Sequence, residues 1–391
     1  MKILTVDIGT GTQDIFLYDS RLDLENGFKF VLPSPTMVIF QQIKEATHRG
    51  TPLLLSGVTM GGGPSAWATE AHVKAGYPLY ATPQAARTLD DDLEKVEDMG
   101  IRVIGEDEAS HLPETVVRLN MQDFDFTTIH ETFARFGVSL SDLAAVAVAA
   151  FDHGAAPPGI SDRQFRFNYL KQRIRDENRL SAFAYRAEDI PDMLTRLQAV
   201  AASARGVDAP LVVMDSAPAA ILGATLDPIV ARRERKMIIN MGNFHTLAFR
   251  LGPGNIEGLF EHHTGLLDQP KMEHLLRALA KGSLQHRNIF NNGGHGALIY
   301  ETTPLPLGEG EFDLVVTGPR RSIFGEGRQH PADMITTSPA LRPYFAVPFG
   351  DMMISGCFGL LSAAADLLPE LAETVRASLH GEGSHKVPWD I

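Results

Sequence analysis

Residues 3–19 read Ile3-Leu4-Thr5-Val6-Asp7-Ile8-Gly9-Thr10-Gly11-Thr12-Gln13-Asp14-Ile15-Phe16-Leu17-Tyr18-Asp19. An apolar run, a turn of Gly and Thr, and a second apolar run predict a β-hairpin. Glycine lets the backbone N–H groups of such a turn approach one anionic centre, as loops that bind phosphate do. Asp7 ends the first strand, where a carboxylate can hold hydrated Mg²⁺. The hairpin alone leaves a second interpretation open, an ordinary connection with a glycine turn.

The bulk composition limits the classes of function. A chain of 391 residues is too long for one compact core, so two lobes are expected. The net charge of −13 argues against nonspecific binding to nucleic acid or to an anionic membrane. It does not exclude an anionic ligand, because backbone N–H groups bind phosphate without a basic surface.

Cysteine usage and hydropathy indicate the cellular compartment of the protein. Cys357 is the single cysteine of the chain, which excludes an internal disulfide, a Cys-based zinc site and an iron–sulfur cluster held by this chain alone. The chain starts directly as a strand with no signal-peptide pattern, and no run of about 20 apolar residues predicts a membrane span. These observations predict a cytoplasmic protein.

The first part of the chain is predicted to contain two units. Three strands are expected over 3–8, 14–18 and 28–31, followed by a helix over 36–49. Residues 52–119 then alternate strand and helix as a small α/β unit, which we interpret as an insertion, with one helix over 84–99. Its loop Met60-Gly61-Gly62-Gly63-Pro64-Ser65 precedes a helix, and either binds an anion at the helix N-terminus or forms a tight turn.

The pattern of the first lobe resumes near residue 127. The strand over 143–150 ends in Phe151-Asp152-His153-Gly154, and the strand over 210–214 leads into the small-residue helix Asp215–Ala224. Small residues allow two helices, or two lobes, to approach closely. Later predicted elements are helices over 127–137, 161–180, 189–205, 270–281 and 355–366, a strand over 312–316, and a frayed end over 380–391.

A second hairpin, about 230 residues later, repeats the pattern of the first. It reads Ile238-Ile239-Asn240-Met241-Gly242-Asn243-Phe244-His245-Thr246. Each hairpin places an acid or an amide, then Gly two positions on, then Thr, between apolar runs. Two such loops that face each other can clamp a polyphosphate from both sides.

With these hairpins the chain resembles the ASKHA superfamily of sugar kinases, heat-shock ATPases and actin. Five segments match its motifs in order: Asp7–Thr10 with Asp19, Asp215–Ala224, Asn240–Gly242 with Thr246, Val315–Ile323, and Gly350–Ala363. The resemblance implies an α/β, two-lobed actin-like ATPase (ribonuclease H-like) fold with an inserted α/β subdomain. It divides the chain into a first lobe (1–32 and 127–225), the insertion (33–126) and a second lobe (226–391).

The resemblance also implies ATP and Mg²⁺ as cofactors, with Asp7 as the metal ligand. The implied nucleotide-binding residues are Gly9, Thr10, Gly11, Thr12, Asn240, Gly242, Asn243, Thr246, Gly318 and Arg320. Three departures from the superfamily bear on turnover: Asn240 stands where an acid is usual, Asp14 where many sugar kinases have Lys, and Pro319 where the adenosine turn often has a second glycine. An amide can hydrogen-bond a phosphate but cannot act as a base.

The chain further resembles a prokaryotic family whose members carry the label "putative pyruvate formate-lyase activating enzyme". Genuine activases of that kind are radical enzymes that hold a cluster on three closely spaced cysteines. With Cys357 alone, the chemistry of that label is not expected here.

Asp152, His153 and a group of histidines are the remaining candidates. Asp152 either acts as the base that deprotonates a substrate hydroxyl, with His153 beside it, or caps the turn that follows its strand. His262, His263 and His295, with His245 and His153, either line a substrate pocket, bind a metal such as zinc or iron, or form ordinary hydrogen bonds. Arg320 and Arg321 either meet the nucleotide or are solvated.

Two hypotheses for the function follow. In the first, the protein is an enzyme that uses ATP for phosphotransfer to an unknown small molecule, or for hydrolysis. In the second, it is a nucleotide-sensing regulator or activator with little turnover. Expected partners are the nucleotide and a small-molecule substrate, with a homodimer or a protein partner left open, and neither nucleic acid nor a membrane.

Overall fold

The computed structural model describes residues 1–326, 340–383, 386 and 389. Its strands are β1 (Lys2–Ile8), β2 (Thr12–Asp19), β3 (Phe28–Pro33), β4 (Leu53–Gly57), β5 (Leu79–Ala81), β6 (Arg102–Val103), β7 (Val117–Met121), β8 (Leu143–Ala150), β9 (Ala184–Arg186), β10 (Leu211–Asp215), β11 (Lys236–Met241), β12 (His245–Leu251), β13 (Ile256–His263), β14 (Gly296–Ile299), β15 (Leu314–Thr317) and β16 (Pro343–Phe345).

The α-helices lie between and after these strands. They are α1 (Pro35–Arg49), α2 (Pro64–Lys74), α3 (Pro83–Ala86), α4 (Leu93–Asp98), α5 (Glu106–Ser110), α6 (Phe126–Arg135), α7 (Asp162–Asp176), α8 (Thr195–Ser203), α9 (Ser216–Ala224), α10 (Pro228–Ala231), α11 (Gln269–Ala280), α12 (His286–Phe290), α13 (Ile323–Glu326), α14 (Ser355–Leu367) and α15 (Pro369–Leu379). Within the described ranges, none of them is long and apolar enough to cross a bilayer.

The first sheet has the strand order β3-β2-β1-β8-β10-β9. Strands β1, β2 and β3 form an antiparallel meander, and β8 and β10 extend it in parallel to β1. The last six residues of β1 and of β8 are buried, because helices cover both faces of the sheet, as is usual where strands run in parallel.

The second sheet repeats this topology. Its order is β14-β13-β12-β11-β15-β16. Strands β11, β12 and β13 form the antiparallel meander, while β15 and β16 run parallel to β11. The two halves of the chain therefore share a five-stranded arrangement, to which β9 is added beside β10 in the first sheet and β14 beside β13 in the second.

A third, all-parallel sheet lies between β3 and β8 in the chain. Its order is β6-β5-β4-β7, and it has its own apolar core around Leu53, Leu55 and Leu79. The division of the chain at residues 33, 127 and 226 remains a prediction. Helix packing crosses these divisions: α14 from the C-terminal part, for example, packs on β1, β2 and β8 of the first sheet.

Several predicted helices differ in length from those observed. The helix expected over 84–99 is split into α3 and α4, since the Asp92 carboxylate accepts from Glu94 N (3.1 Å) and starts a new helix. The helix expected over 189–205 begins only at Thr195, after a turn in which Leu194 N donates to Pro191 O. The prediction for 380–391 falls partly outside the described residues.

Helices α9 and α14 touch at backbone distance. A Cβ built on Gly223 would overlap Ser355 O, and one on Gly359 would overlap Ala219 O. The small-residue helix Asp215–Ala224 thus does approach a second helix closely, as its composition predicted. Each helix also reaches the other half of the molecule: α9 contacts β11 and β15, and α14 contacts the first sheet.

Substitution of Gly359 by Ala is expected to destabilise the protein. The added methyl group has no space against the Ala219 carbonyl, so α9 and α14 must separate, at a cost of about 1–3 kcal/mol or more in the free energy of unfolding. Urea unfolding measures the change. Gly265→Ala is the matched control, since a Cβ there meets no atom of the described residues within 4 Å. Equal unfolding midpoints for the two variants would contradict the close contact.

Candidate functional site

Two glycine turns of the same geometry face each other across a cleft. In the first, between β1 and β2, Gly9 N donates to Thr12 O at 2.9 Å. In the second, between β11 and β12, Gly242 N donates to His245 O, also at 2.9 Å. A Cβ on Gly11 would lie 2.7 Å from Asn243 Nδ2, so the turns nearly touch.

The first turn is fixed from outside by the N-terminus of α1. Ser34 Oγ donates to Thr10 O (2.6 Å), and Ser34 N donates to Gly11 O (3.2 Å). The same Oγ accepts from Met37 N as the helix cap. Because these bonds use the carbonyl groups of the turn, they hold it in one conformation.

Asp7 and Asp14 form an acidic pair at the base of the first turn. They stand opposite each other in the β1–β2 register, so both side chains emerge on the same face of the sheet. Burial raises the pKa of Asp7 to about 7. The hydrogen bond that Ser216 Oγ donates to Asp7 Oδ1 at 2.7 Å acts in the opposite direction and lowers this pKa. Burial and the nearby Asp7 raise the pKa of Asp14 to about 8, and Asp14 Oδ1 has no hydrogen-bond partner in the described ranges.

The cleft around this pair encloses a cavity of about 130 Å³. Among the described residues that line it, the acids Asp7 and Asp14 are both on one side. The positions that correspond to Asp7 and Asp14 in the second hairpin are Asn240 and Leu247, which pair with each other. A divalent cation beside Asp7 and Asp14 would relieve the repulsion between them.

The turn after β15 closes the cleft against the second hairpin. Gly318 has φ +98°, and a Cβ there would lie 2.5 Å from Asn240 Oδ1. Arg320 N donates to Met241 O at 2.9 Å, while the Arg320 side chain is exposed and does not line the cleft. Arg321 Nη1 donates to Gly318 O at 3.1 Å, so both arginines support the turn.

Most of the residues predicted to bind nucleotide do line the cleft. They are Gly9, Thr10, Gly11, Thr12, Asn240, Gly242, Asn243 and Gly318, and the predicted metal ligand Asp7 lines it too. Thr246 does not, because it is fully buried and its hydroxyl pairs with that of Thr264 (2.9 Å).

Asp152 caps a turn and a helix. Its Oδ1 accepts from Gly154 N (2.8 Å) and its Oδ2 from Leu197 N (3.0 Å), in the first turn of α8. The carboxylate is buried, which raises its pKa, and it does not line the cleft. Of the two roles weighed for Asp152, these hydrogen bonds support the cap; the role of base stays a prediction.

Four histidines from different parts of the chain form one cluster. Ring centroids lie 5.2 Å apart for His153 and His245, 5.5 Å for His153 and His295, and 4.8 Å for His263 and His295. Burial lowers the pKa of His153 to about 3 and that of His245 well below its ordinary value, so both rings are neutral near pH 7. His245 also lines the cleft.

His262 lies outside this cluster. Side chains alternate along β13, so His262 and His263 point to opposite faces, and His262 packs against Ile289 and Gly294. The three histidines predicted to share a substrate pocket are therefore divided: His263 and His295 lie together, and His262 does not.

Arg166 on α7 lies beneath the cluster and bridges the two sheets. Its Nη1 donates to Asp215 Oδ2 (2.6 Å) and to Asp152 O (2.8 Å), and its Nε donates to Glu261 Oε2 (2.8 Å). The guanidinium is fully buried. Removing it would leave two buried carboxylates from different sheets without a counter-charge, a strongly destabilising change.

The inserted sheet reaches the cleft through its glycine-rich loop. A Cβ on Gly63 would lie 2.6 Å from the Phe244 ring, and one on Gly61 would lie 2.5 Å from Arg196 Nη2. Trp67 packs edge-on against Phe244 at 5.4 Å. These contacts support the tight-turn interpretation of the loop, since its glycines are required by close packing.

Sequence reasoning missed several residues of the cleft. Asp14 could have been found from the hairpin register, because a turn centred on residues 10 and 11 places it opposite Asp7. Ser216 and Gly356 carry no local signal. They meet Asp7 only because α9 and α14 both begin at the cleft: a Cβ on Gly356 would overlap Asp7 Oδ2.

The duplicated strand order and the paired glycine turns define the class of protein. This is the two-lobed actin-like ATPase fold of the sugar kinase, heat-shock ATPase and actin superfamily, so the predicted fold class is confirmed. The chain belongs to the family described as "Putative pyruvate format-lyase activating enzyme (DUF1786)", whose model matches residues 60–323. The resemblance to that family is confirmed as well.

Solved structures similar to the chain include sugar kinases. A protein of Listeria monocytogenes described as "a putative N-acetylmannosamine kinase" is 8% identical, with 66% of this chain and 49% of that chain covered and a TM-score of 0.25. The ROK hexokinase of Thermus thermophilus is 11% identical, with 66% and 48% covered and a TM-score of 0.23. An exopolyphosphatase-like protein is 8% identical, with 75% and 61% covered and a TM-score of 0.24.

The match spans about half the length of the first two of these structures. No curated protein matches the chain.

The acidic pair is expected to make stability depend on pH. Because the pKa of Asp14 is raised to about 8 in the folded state, the folded protein retains a proton that the unfolded chain releases near pH 4. The free energy of unfolding should therefore fall as pH rises from about 4 to 8, and Asp14→Asn should remove part of this fall. Urea unfolding at several pH values, with a chelator present, measures both slopes.

The low-pH end of that series is the internal control. Near pH 4 the wild-type carboxyl is protonated and close to isosteric with the amide, so the two proteins should have similar stability. Parallel curves over the whole range would show that the Asp14 carboxyl titrates normally.

Proposed function

We propose that the cleft binds a nucleoside triphosphate with Mg²⁺ and transfers the γ-phosphoryl group to a small molecule or to water. The observation that carries this proposal is the pair of matching turns, Gly9–Thr12 and Gly242–His245, that converge on one cleft beside the Asp7–Asp14 pair. Two sets of backbone N–H groups around one space suit a chain of phosphates.

Asp7 and Asp14 would hold the Mg²⁺ ion through its water ligands. Carboxylates and water are the ligands that this ion prefers. Bound there, Mg²⁺ would neutralise charge on the phosphates. Ser216 orients the Asp7 carboxylate, and the close approach of Gly356 shields it from solvent.

The nucleoside would lie toward the turn after β15. Gly318 and Pro319 line that end of the cleft with Thr317 and Ser355. Gly318 lets the backbone approach Asn240. The small-molecule acceptor would lie at the other end, where His245 connects the cleft to the histidine cluster. This arrangement keeps the nucleotide and the acceptor on opposite sides of the phosphates.

We do not propose for this chain the radical activase chemistry that the family description names. A radical activase needs a cluster on three closely spaced cysteines, whereas Cys357 is the single cysteine and lies buried with its Sγ against Asp14 O (3.1 Å). The partners proposed instead are a nucleotide and a small molecule. Assembly as a homodimer or with another protein stays a prediction, as does the cytoplasmic location.

A second candidate is a nucleotide-sensing protein with little turnover. The observation in its favour is the absence of an acid at Asn240 and Leu247, together with the use of Asp152 as a cap. Without a free carboxylate opposite the Asp7–Asp14 pair, the nucleotide would bind and set the angle between the lobes, and would be hydrolysed slowly.

Mg²⁺ and a non-hydrolysable ATP analogue are expected to stabilise the wild-type protein together. A ligand at 100 times its Kd adds about 2.7 kcal/mol. Asp7→Asn should lose the part of the thermal shift that depends on Mg²⁺, because the amide supplies no negative charge. Asp19→Asn is the matched control, at the far end of the same hairpin. If the wild type shows no shift with any Mg·nucleotide, the proposal is wrong.

Single-turnover release of the γ-phosphate separates the enzyme from the sensor. With protein in excess over labelled ATP, the enzyme releases phosphate or a phosphorylated acceptor, and Asp7→Asn abolishes this release. The sensor shows the thermal shift with phosphate release no faster than in buffer. Asp152→Asn addresses the base: lost turnover with retained nucleotide binding supports that role, and retained turnover leaves Asp152 as a cap alone.

A further inference from the structure

We propose that His153, His245 and His295 bind one divalent transition-metal ion, of the kind represented by Zn²⁺ and Fe²⁺. One ring nitrogen of each residue lies within 4.8 Å of the corresponding nitrogens of the other two. Metal–nitrogen bonds of about 2.0–2.1 Å place two ligating nitrogens no more than roughly 4 Å apart. Side-chain rotations that move the ring nitrogens by about 1 Å would therefore bring all three within bonding distance of one ion.

The burial of His295 without partners points to a missing ligand. Its ring is fully buried, and neither Nδ1 nor Nε2 has a hydrogen-bond partner within the part of the chain that the structure describes. Buried polar atoms of native proteins nearly always have a partner, and an exception calls for a specific explanation, such as an ion. In the cluster, a metal ion would satisfy this ring and the two rings beside it together.

Glu261 stands where a carboxylate commonly supports a metal-binding histidine. Its Oε1 lies 3.6 Å from His295 Nε2 and has no hydrogen-bond partner among the described residues, while its Oε2 accepts from Arg166 Nε. Metal-bound histidines usually donate their second ring N–H to a carboxylate, which fixes the ring orientation. With Nε2 directed at Glu261, Nδ1 is the nitrogen of His295 available to the ion.

The ligand chemistry separates this site from the Mg²⁺ site proposed above. Imidazole nitrogens suit zinc, iron and similar metals, whereas Mg²⁺ prefers carboxylate and water oxygens. Three histidines leave a fourth position open for water or for an oxygen of a substrate, as in catalytic zinc sites. His263 lies beside the three rings, with its ring centroid 4.8 Å from that of His295 and 5.1 Å from that of His245.

The ligands come from both halves of the molecule. His153 follows β8 of the first sheet, His245 begins β12 of the second, and His295 precedes β14. His245 is also the last residue of the second glycine turn and accepts from Gly242 N. The ion would therefore tie the two lobes together at the acceptor end of the cleft, which is the end where a substrate oxygen could reach it.

Metal binding by the full-length, tag-free protein tests the site without any nucleotide. After removal of metals with a chelator, we expect one Zn²⁺ per chain by calorimetry, unchanged by excess Mg²⁺, and a visible Co²⁺ spectrum typical of nitrogen ligands. His153→Gln and His295→Gln should each weaken binding by more than about 100-fold, the upper end of what loss of a supporting residue costs.

His262→Gln is the matched control, because His262 is also fully buried with an unpartnered Nε2, yet lies outside the cluster. This variant should bind Zn²⁺ like the wild type. Wild-type protein that binds neither Zn²⁺ nor, without oxygen, Fe²⁺ overturns the proposal, and so does full binding by His153→Gln. If His295→Gln does not fold, as judged by circular dichroism, His153→Gln decides, since its ring is less buried.

The outcome is independent of the proposed phosphotransfer. The metal titration contains no nucleotide, and the Mg·ATP shift is measured with Mg²⁺ as the only metal. A protein that binds Zn²⁺ but no nucleotide would disprove the proposed function and leave the metal site intact.

Discussion

The contact between α9 and α14 determines where the cleft lies. Gly223 and Gly359 let the two helices meet at backbone distance. Helix α9 follows the first sheet and packs on β11 and β15 of the second, whereas α14 follows the second sheet and packs on the first. Both helices begin at the cleft, so Ser216 at the start of α9 and Gly356 at the start of α14 meet the same carboxylate, Asp7. A side chain at either glycine of the contact would displace the surroundings of Asp7 along with the helix.

The same packing explains the electrostatics of the site. It excludes water from Asp7 and Asp14, which raises the pKa of both carboxyl groups. The second hairpin offers no cation in return, since its corresponding residues are Asn240 and Leu247. The lobes thus enclose an acidic pair in a cleft otherwise lined by backbone and uncharged groups, apart from Arg196, which is engaged by Asp123. A bound cation is the simplest way to balance that pair.

Local patterns in the sequence predicted the parts of the site that lie on one hairpin. The two glycine turns and Asp7 follow from apolar runs around Gly and Thr, whereas the fold was implied by the resemblance to the superfamily. The register of the first hairpin would also have placed Asp14 opposite Asp7. The histidine cluster could not be derived in this way, because His153, His245 and His295 meet only after both sheets have formed. Strand β13 was not predicted, so nothing separated His262 from His263; with that strand known, alternation alone puts them on opposite faces. The position of Asp152 just after a strand left two roles open, a cap or a base. The structure supports the cap because the fold brings Leu197 N to the Asp152 carboxylate.

On the proposed assignments, the cleft holds two cations of different chemistry, one beside the phosphates and one at the acceptor end. The carboxylates of Asp7 and Asp14 suit Mg²⁺ and the imidazoles suit a transition metal, so the two ions would not compete for one site. The second glycine turn links the two cation sites. The His245 carbonyl accepts from Gly242 N within the turn, while the His245 ring lies in the histidine cluster. A metal that fixes His245 also fixes the turn that faces the phosphates. A nucleotide that draws this turn inward would strengthen metal binding. Because coupling between two ligands is reciprocal, the metal would strengthen nucleotide binding by the same factor.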